Sequence, residues 1–500
     1  MSFIVLYQIL DFSNIPSLKK VINMKGKKIL CGLLLFTMAF VPMISFITPA
    51  KAQGVTLKII VTDQQAPGVS AVVDDFVAAE SGVSAVEVVA SGTKAEDQLT
   101  YLTTTMAAGS SEYDVIGLDT IWTAQFAENG WIKDLTNDLE ANEMDAYFGG
   151  MVDSCTYKGK VWAYPYFMNL GVMFYRKDII ERNGFTIADF DTWDEFKTNT
   201  NTILANSSEQ TLNPDLVGLV GQFDAYEGGV CNFIEWIGSN GVTSIFDEDG
   251  KVNCNNTKAI EAMTFLSGLV APRYTGVQGT DYIIPRSGLT MDEGSSVGAW
   301  LAGNAIFMRQ WPFAYGLSEN NDLLNATDGS GHYTQFGVTA MPTHTGAADE
   351  KSAIVGGAIL AIPTSGTHQE EAMKLIRFLG DTAAQKAELT ECSNFPALKS
   401  VFSDLPTGFE WVKNFEGAAD LTLARPVHPK YSTFSVEIAD KFNDIISGLK
   451  TPEQGLGEMD AAITEIIGGG PTSIPGFSIP FIIAAFVSTV ALIAIFKKKH

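Results

Sequence analysis

From Val55 onward the apolar positions switch between two periods. "VTLKIIVT", Val55 to Thr62, packs β-branched residues into a short run; "VSAVVDDFVAAESG" spaces its apolar residues three and four apart; "AVEVVA" is again strand-like. The alternation continues with a helix in "KAEDQLTYLTTTMAAG" and a strand in "YDVIGL", Tyr113 to Leu118. Strands separated by helices of this length predict right-handed crossovers and a parallel sheet, hence an α/β fold. In open sheets of this kind ligands bind beyond the carboxyl ends of the strands, which makes Asp119, placed where the third strand ends, a candidate cleft residue. Further α/β units follow in "GVMFYRKDII", "TWDEFKTNTNTILANS", "CNFIEWIGSNG" and "KAIEAMTFLSGLV". "FDEDGKV" lacks the additional oxygen ligands, later glycine and terminal glutamate of a calcium loop, so Asp249-Gly250 reads as a hairpin turn.

Both ends break the pattern. Met24 to Ala52 has a basic start, an apolar run and the small-x-small site Ala50-Lys51-Ala52, the layout of a secretory signal peptide cleaved before Gln53. Residues 1–23 ahead of it either lengthen the charged region or precede a true start at Met24, the reading favoured here. Ile479 to Phe496 carries no charge over 18 residues and is followed by Lys497 to Lys499, which predicts a membrane-spanning C-terminal helix with its basic end in the cytoplasm. Pro475-Gly476-Phe477 ahead of it resembles the PGF-type C-terminal sorting signal of archaeal surface proteins, so the tail is either kept or exchanged for a lipid.

The formal net charge of −24 makes nucleic acid and anionic headgroups poor partners and leaves a neutral or cationic solute as the better fit. Cys155, Cys231, Cys254 and Cys392 remain outside; disulfides and buried free thiols are both open. Asn206, Asn255 and Asn325 each open a glycosylation sequon. The five histidines stand apart with no metal-ligand spacing, and there is no nucleophile elbow, phosphate loop or dinucleotide fingerprint, so neither a metal, a cofactor nor catalysis is expected. Carboxylates distant in sequence still leave a glycosidase site open.

Several separated stretches resemble the extracellular solute-binding proteins of ABC importers, in the maltose/trehalose-binding branch. They include "YDVIGLDTIWTAQFAENGWIKDLT", "AYPYFMNLGVMFYRKDIIERNGF", "YEGGVCNFIEWIGSNGV", "GNAIFMRQWPFAYGL", "FGVTAMPTHTG" and "VGGAILAI", in the family's order. The resemblance implies two α/β lobes around a hinge with solute trapped between them. Residues 53–165 and 355–400 are assigned to one lobe and 166–354 and 401–468 to the other, with a Gly/Pro linker at 469–478 and an anchor at 479–500. It also implies a carbohydrate ligand and ABC permease subunits as partners.

In that family the tryptophan of the "FMRQWP" segment, here Trp311, lines the sugar site, and a pyranose face of polarised C–H groups does pack on an aromatic plane. Asp119, Glu235, Arg425, Thr93 and Gln65 are the candidates for the ring's hydroxyl edges. Phe167, Asn169 and Gly357 join them through the resemblance, with two departures. Asn169 replaces a common aspartate, and Gly356-Gly357-Ala358 replaces Gly-Gly-Trp, which leaves the disaccharide specificity open and suggests either a different oligosaccharide or a ligand bulky enough to fill the missing indole's space. Core packing for Trp311, a helix N-cap for Asp119 and a structural salt bridge for Arg425 are the alternatives. The expected function is capture of a di- or oligosaccharide for an ABC permease; a surface glycan hydrolase and a sensory or adhesion module are the rivals.

Overall fold

A computed structural model describes residues 54–469 except 93–94, 248, 273–281, 326–334, 345–352 and 421. The expected signal peptide and the apolar C-terminal segment lie outside the described residues, as does Thr93. Among the described residues no helix is long and apolar enough to cross a membrane.

The early alternation folds as its periods dictate. Strands β1 (Val55–Val61), β2 (Val83–Ala90) and β3 (Val115–Asp119) run parallel, joined by the helices Ala66–Ala79 and Ala95–Ala107. Pro67 sits in the first turn of the Ala66–Ala79 helix, where its missing N–H costs nothing. Leu57, Ile59, Ile60 and Val61 are all at most 1% exposed, so β1 is covered on both faces, as a strand inside a parallel sheet must be. A two-residue hairpin, β4 (Thr156–Tyr157) with β5 (Lys160–Val161), precedes β6 (Tyr164–Leu170). A second group comprises β7 (Val172–Tyr175), β8 (Val217–Val220), β9 (Ala305–Gln310) and β10 (Gly337–Thr339); β11 (Val355–Ala361) and β12 (Phe395–Pro396) return to the first. The larger sheet has the order β12-β6-β11-β3-β1-β2 and the smaller one β10-β7-β9-β8. In the larger sheet β11 inserts antiparallel between β3 and β6, so the parallel half meets an antiparallel half beside Asp119.

The chain passes between the sheets at residues with specific reasons to be there. β6 pairs with β11 through Leu170 and β7 begins at Val172, so the first crossing is Gly171, later than the boundary read from the sequence. Ala353 and Val355 exchange backbone hydrogen bonds with Leu423, Leu423 N–H to Ala353 O and Val355 N–H to Leu423 O, both 2.9 Å, which ties two further crossings together. The helix Glu416–Asp420 packs on the helix Gly149–Ser154, whereas Tyr431–Ile446 packs on Glu227–Ser239, so the chain after Ser400 divides between the two sheets instead of following the smaller one throughout.

These crossings meet at one buried ion pair. Arg309 and Glu235 are each 1% exposed. Arg309 Nε and Nη2 donate to Glu235 Oε2 and Oε1 at 2.8 and 2.7 Å, and Nη1 donates to Gln222 Oε1 at 2.8 Å. Glu235 Oε1 also accepts from the backbone N–H of Ile354 at 3.2 Å. A Cβ on Gly171 would stand 1.8 Å from Glu235 Oε1 and 2.6 Å from Arg309 Nη2, so the first crossing passes where only a glycine fits. Elsewhere Asp249-Gly250 forms the expected turn, with Gly250 at φ 75° and Phe246 bridged to Val252.

Removing one partner of a buried bidentate pair leaves an uncompensated charge, at a cost of about 3–5 kcal/mol. Glu235→Ala is expected to lower the unfolding free energy by about that amount in urea titrations. Glu128→Ala, which removes a solvent-facing pair with Lys158, should shift the midpoint far less.

Candidate ligand-binding cleft

A cavity of about 380 Å³ lies between the two sheets. From the larger sheet its wall takes Thr62 and Gln65 beyond the end of β1, Asp119 at the end of β3, Phe167 and Asn169 on β6, and Gly356 and Gly357 on β11. The opposite wall carries Tyr226, Glu227, Glu293, Trp311 and Phe313. Its place, at the carboxyl ends of the parallel strands and at the switch to the antiparallel half, is where open α/β sheets leave a crevice.

Trp311 follows directly on β9 and is turned by Pro312, whose carbonyl accepts from Tyr315 N–H at 2.8 Å. The Arg309 guanidinium lies 4.1 Å from the indole centroid. A Cβ on Gly356 would approach Trp311 Cη2 and Cζ3 to 3.2 Å, so a residue larger than glycine would press on the benzo edge. Trp311 Nε1 points to Glu293 Oε1 at 3.4 Å, and Glu293 Oε2 accepts from Tyr226 Oη at 2.6 Å. The neighbouring rings divide between two duties. Phe307 is fully buried against Phe190 and Phe196, and Tyr315 stacks on Trp411 with centroids 4.2 Å apart, while Trp311 and Phe313 face the cavity.

Arg425 bridges the two walls. Its Nη2 donates to Asp119 Oδ1 at 2.7 Å and its Nη1 to Glu227 Oε1 at 2.9 Å. Arg425 is 6% exposed, yet its Nε has no hydrogen-bond partner. Burial pushes the Glu227 carboxyl up to about 7, against the pull of Arg425 and of Tyr431 Oη, which donates to Glu227 at 2.6 Å. Asp119 does not cap the following helix: its Oδ1 accepts from Thr120 Oγ1 and Ile121 N–H at 3.1 and 3.3 Å, closing a local turn.

Asn169 is held from behind. Its Nδ2 donates to Asn394 Oδ1 at 3.0 Å, Asn394 Nδ2 donates to Glu388 Oε1 at 2.7 Å, and Tyr166 Oη donates to Glu388 Oε2 at 2.6 Å. This relay fixes the amide so that Asn169 Oδ1 is left buried with no partner. Gly357, with φ 121°, adopts a backbone few other residues tolerate, and a Cβ there would lie 2.3 Å from Phe167 O.

Of the residues expected from the sequence, Gln65, Asp119, Phe167, Asn169, Trp311, Gly357 and Arg425 line this one cavity. Glu235 does not: its carboxylate is consumed by Arg309 and Ile354 at the hinge. Ala358 is 0% exposed inside the sheet, so the absent indole leaves no space in the cleft for a bulkier ligand to fill. Tyr226, Glu227 and Glu293 were not singled out, and Phe313 stood out only as one ring of the aromatic cluster around Trp311. Only the glycine pair after Tyr226-Glu227 and the ring cluster around Phe313 offered a signal for them, and nothing in the residues around Glu293 marks it. Among the described residues the four cysteines are free thiols, with Cys231 on the cavity wall.

Comparison with known proteins agrees with this geometry. The family described as bacterial extracellular solute-binding protein matches residues 62–386, well over half the chain. A probable ABC transporter-binding protein of Deinococcus radiodurans is 30% identical over 372 residues, which span 73% of this chain and 82% of that one. Among solved structures, maltose-bound MalE3 of T. maritima superposes with a TM-score of 0.70 at 25% identity, covering 82% of this chain and 99% of its own. A solute-binding protein of Thermotoga lettingae bound to α-D-tagatose shares the fold with a TM-score of 0.68 at 20% identity, over 82% of this chain and 99% of that one.

The relay behind Asn169 predicts a pH signature. Burial raises the Glu388 carboxyl to about 7, against the hydrogen bonds from Tyr166 and Asn394, with no cation among the described residues to add to them. Between its unfolded value near 4.5 and about 7 the folded chain holds a proton that the unfolded chain releases, so stability falls as pH rises through this window. Urea midpoints should decline from pH 4.5 to 7, and Glu388→Gln should make that slope shallower whatever its effect on the absolute midpoint.

Proposed function

The chain belongs to the bacterial extracellular solute-binding proteins, and on that premise we propose that it captures a di- or oligosaccharide between its lobes and delivers it to an ABC permease. The observation that carries the sugar reading is the composition of the cleft wall. The Trp311 ring is backed by Arg309, and Arg425 and Asn169 line the same cavity, each with one buried polar atom, Nε and Oδ1, that lacks a partner among the described residues. A ring with an apolar face and a polar edge meets all three demands: the face packs on the indole, a hydroxyl oxygen accepts from Arg425, and a hydroxyl proton goes to Asn169.

Capture then works by differential affinity. Asp119 and Glu227 stand on opposite walls and Arg425 touches both, so a ligand that contacts this trio gains most when the walls are close. The ligands bound in the two similar solved structures, maltose and α-D-tagatose, are polyhydroxylated carbohydrates and fit this chemistry. No step requires a bond in the solute to break.

The cell-surface setting belongs to the same proposal. A signal peptide ending at Ala52 exports the domain, and the apolar segment Ile479 to Phe496, with its PGF-type motif, holds it at the membrane beside its permease. Tethering raises the effective concentration of receptor at the transporter.

The test is calorimetric titration of the full chain, in a detergent without sugar headgroups, against glucose, trehalose, maltose and longer oligosaccharides. Saturable heat is expected with at least one of them, weakened about tenfold or more by Trp311→Ala, since loss of the ring contact removes about 1.4 kcal/mol or more. Sugar recovered intact separates a receptor from a hydrolase; cleaved sugar, or no heat with any carbohydrate, would contradict the reading.

A further inference from the structure

Among the described residues the cleft wall carries more acids than bases: Asp119, Glu227, Asp292 and Glu293 line the cavity together with one guanidinium, Arg425. Arg425 is already shared between Asp119 and Glu227, at 2.7 and 2.9 Å. The other nearby guanidinium, Arg309, is held in a bidentate pair by Glu235 beneath the indole.

Glu293 is the member whose surroundings are informative. It opens the helix Glu293–Leu301 on the smaller-sheet side, with its carboxylate between Tyr226 and Trp311. Tyr226 Oη donates to Oε2 at 2.6 Å, and Trp311 Nε1 approaches Oε1 at a long 3.4 Å. Among the described residues no lysine, arginine or histidine forms an ion pair with it. The helix N-terminus offers partial positive charge, but Asp292 already caps it by accepting from Ser295 N–H at 2.9 Å. A half-buried carboxylate beside the ring platform, bonded by Tyr226 and with the nearby Arg309 already committed to Glu235, is poised for a cation brought by the ligand.

Building on the sugar-receptor reading, we propose that the cleft selects an amine-bearing saccharide, whose ammonium group pairs with Glu293 while its ring packs on Trp311 and its hydroxyls meet Arg425 and Asn169. Ordinary neutral sugars would satisfy the ring and the hydroxyl partners but leave Glu293 without its counter-charge. Acidic sugars would bring a second anion among the carboxylates and be rejected by like-charge repulsion. Burial raises the Glu293 carboxyl above its usual range against the pull of Tyr226 and the Arg309 charge, so a further cation in contact would favour its ionised form.

The experiment titrates the full chain with matched rings that differ in one group: glucose, glucosamine and glucuronate, then cellobiose against the β-1,4-linked glucosamine disaccharide, with spermidine as a cation without a ring. The amine members should bind about tenfold or more tighter than their neutral counterparts, because an ammonium–carboxylate ion pair brings the counter-charge that a hydroxyl lacks. Glucuronate and spermidine should give no heat. Glu293→Gln keeps the acceptor for Tyr226 while removing the charge, and should erase the amine preference, so that each amine and its neutral counterpart bind within about threefold of one another. Equal or weaker binding of the amine, or a preference that survives Glu293→Gln, would overturn the inference and leave the receptor reading intact. Binding of spermidine alone, or of nothing in the series, would overturn both.

Discussion

The bidentate pair between Arg309 and Glu235 is the constraint around which the rest of the molecule is arranged. A guanidinium and a carboxylate taken out of water are tolerated only when each meets the other with good geometry and the remaining donors and acceptors are filled. Here Gln222 and the Ile354 backbone complete the set, and the chain crosses between its sheets through a residue, Gly171, whose side chain would occupy the same space. The same guanidinium lies under the Trp311 indole, so the hinge and the ring platform share one anchor. A displacement at the crossing is therefore felt at the cleft.

Around that anchor the cleft is made from groups that have been positioned but not fully satisfied. Asn169 is oriented by a relay through Asn394, Glu388 and Tyr166, which fixes where its lone acceptor points. Arg425 spends two nitrogens on carboxylates from opposite walls and keeps Nε in reserve. Such pre-set donors and acceptors favour a solute whose hydroxyls match them, because the binding step then orders little of the protein.

The α/β architecture was legible because it rests on periodicity: the early strands and helices lie within a few residues of where the apolar spacing put them. Gln65, Asp119, Phe167, Asn169, Trp311, Gly357 and Arg425 gather in one cavity, although most of them entered through family resemblance and not through spacing. Glu235 was misjudged because a sequence does not say which partner neutralises a carboxylate. The signal lay in its setting, a helix buried on every side, where an acid needs buried partners of its own and is not left to a ligand. Ala358 was misjudged for a related reason: the backbone twist at Gly357 decides which residue of that strand meets the cleft, and only the φ of 121° reveals it. Glu293 was illegible, since its surroundings are set by Trp311 and Tyr226, which lie 18 and 67 residues away along the chain.

The central claim is that the space in front of Trp311 is a sugar site gated by the two lobes. The most direct measurement is a crystal structure of the chain with a carbohydrate that binds it in solution. The account predicts a pyranose ring packed on the Trp311 indole, a hydroxyl within hydrogen-bond reach of Arg425 Nε and another on Asn169 Oδ1. Density for the sugar elsewhere, with Arg425 Nε and Asn169 Oδ1 still lacking partners, would contradict it.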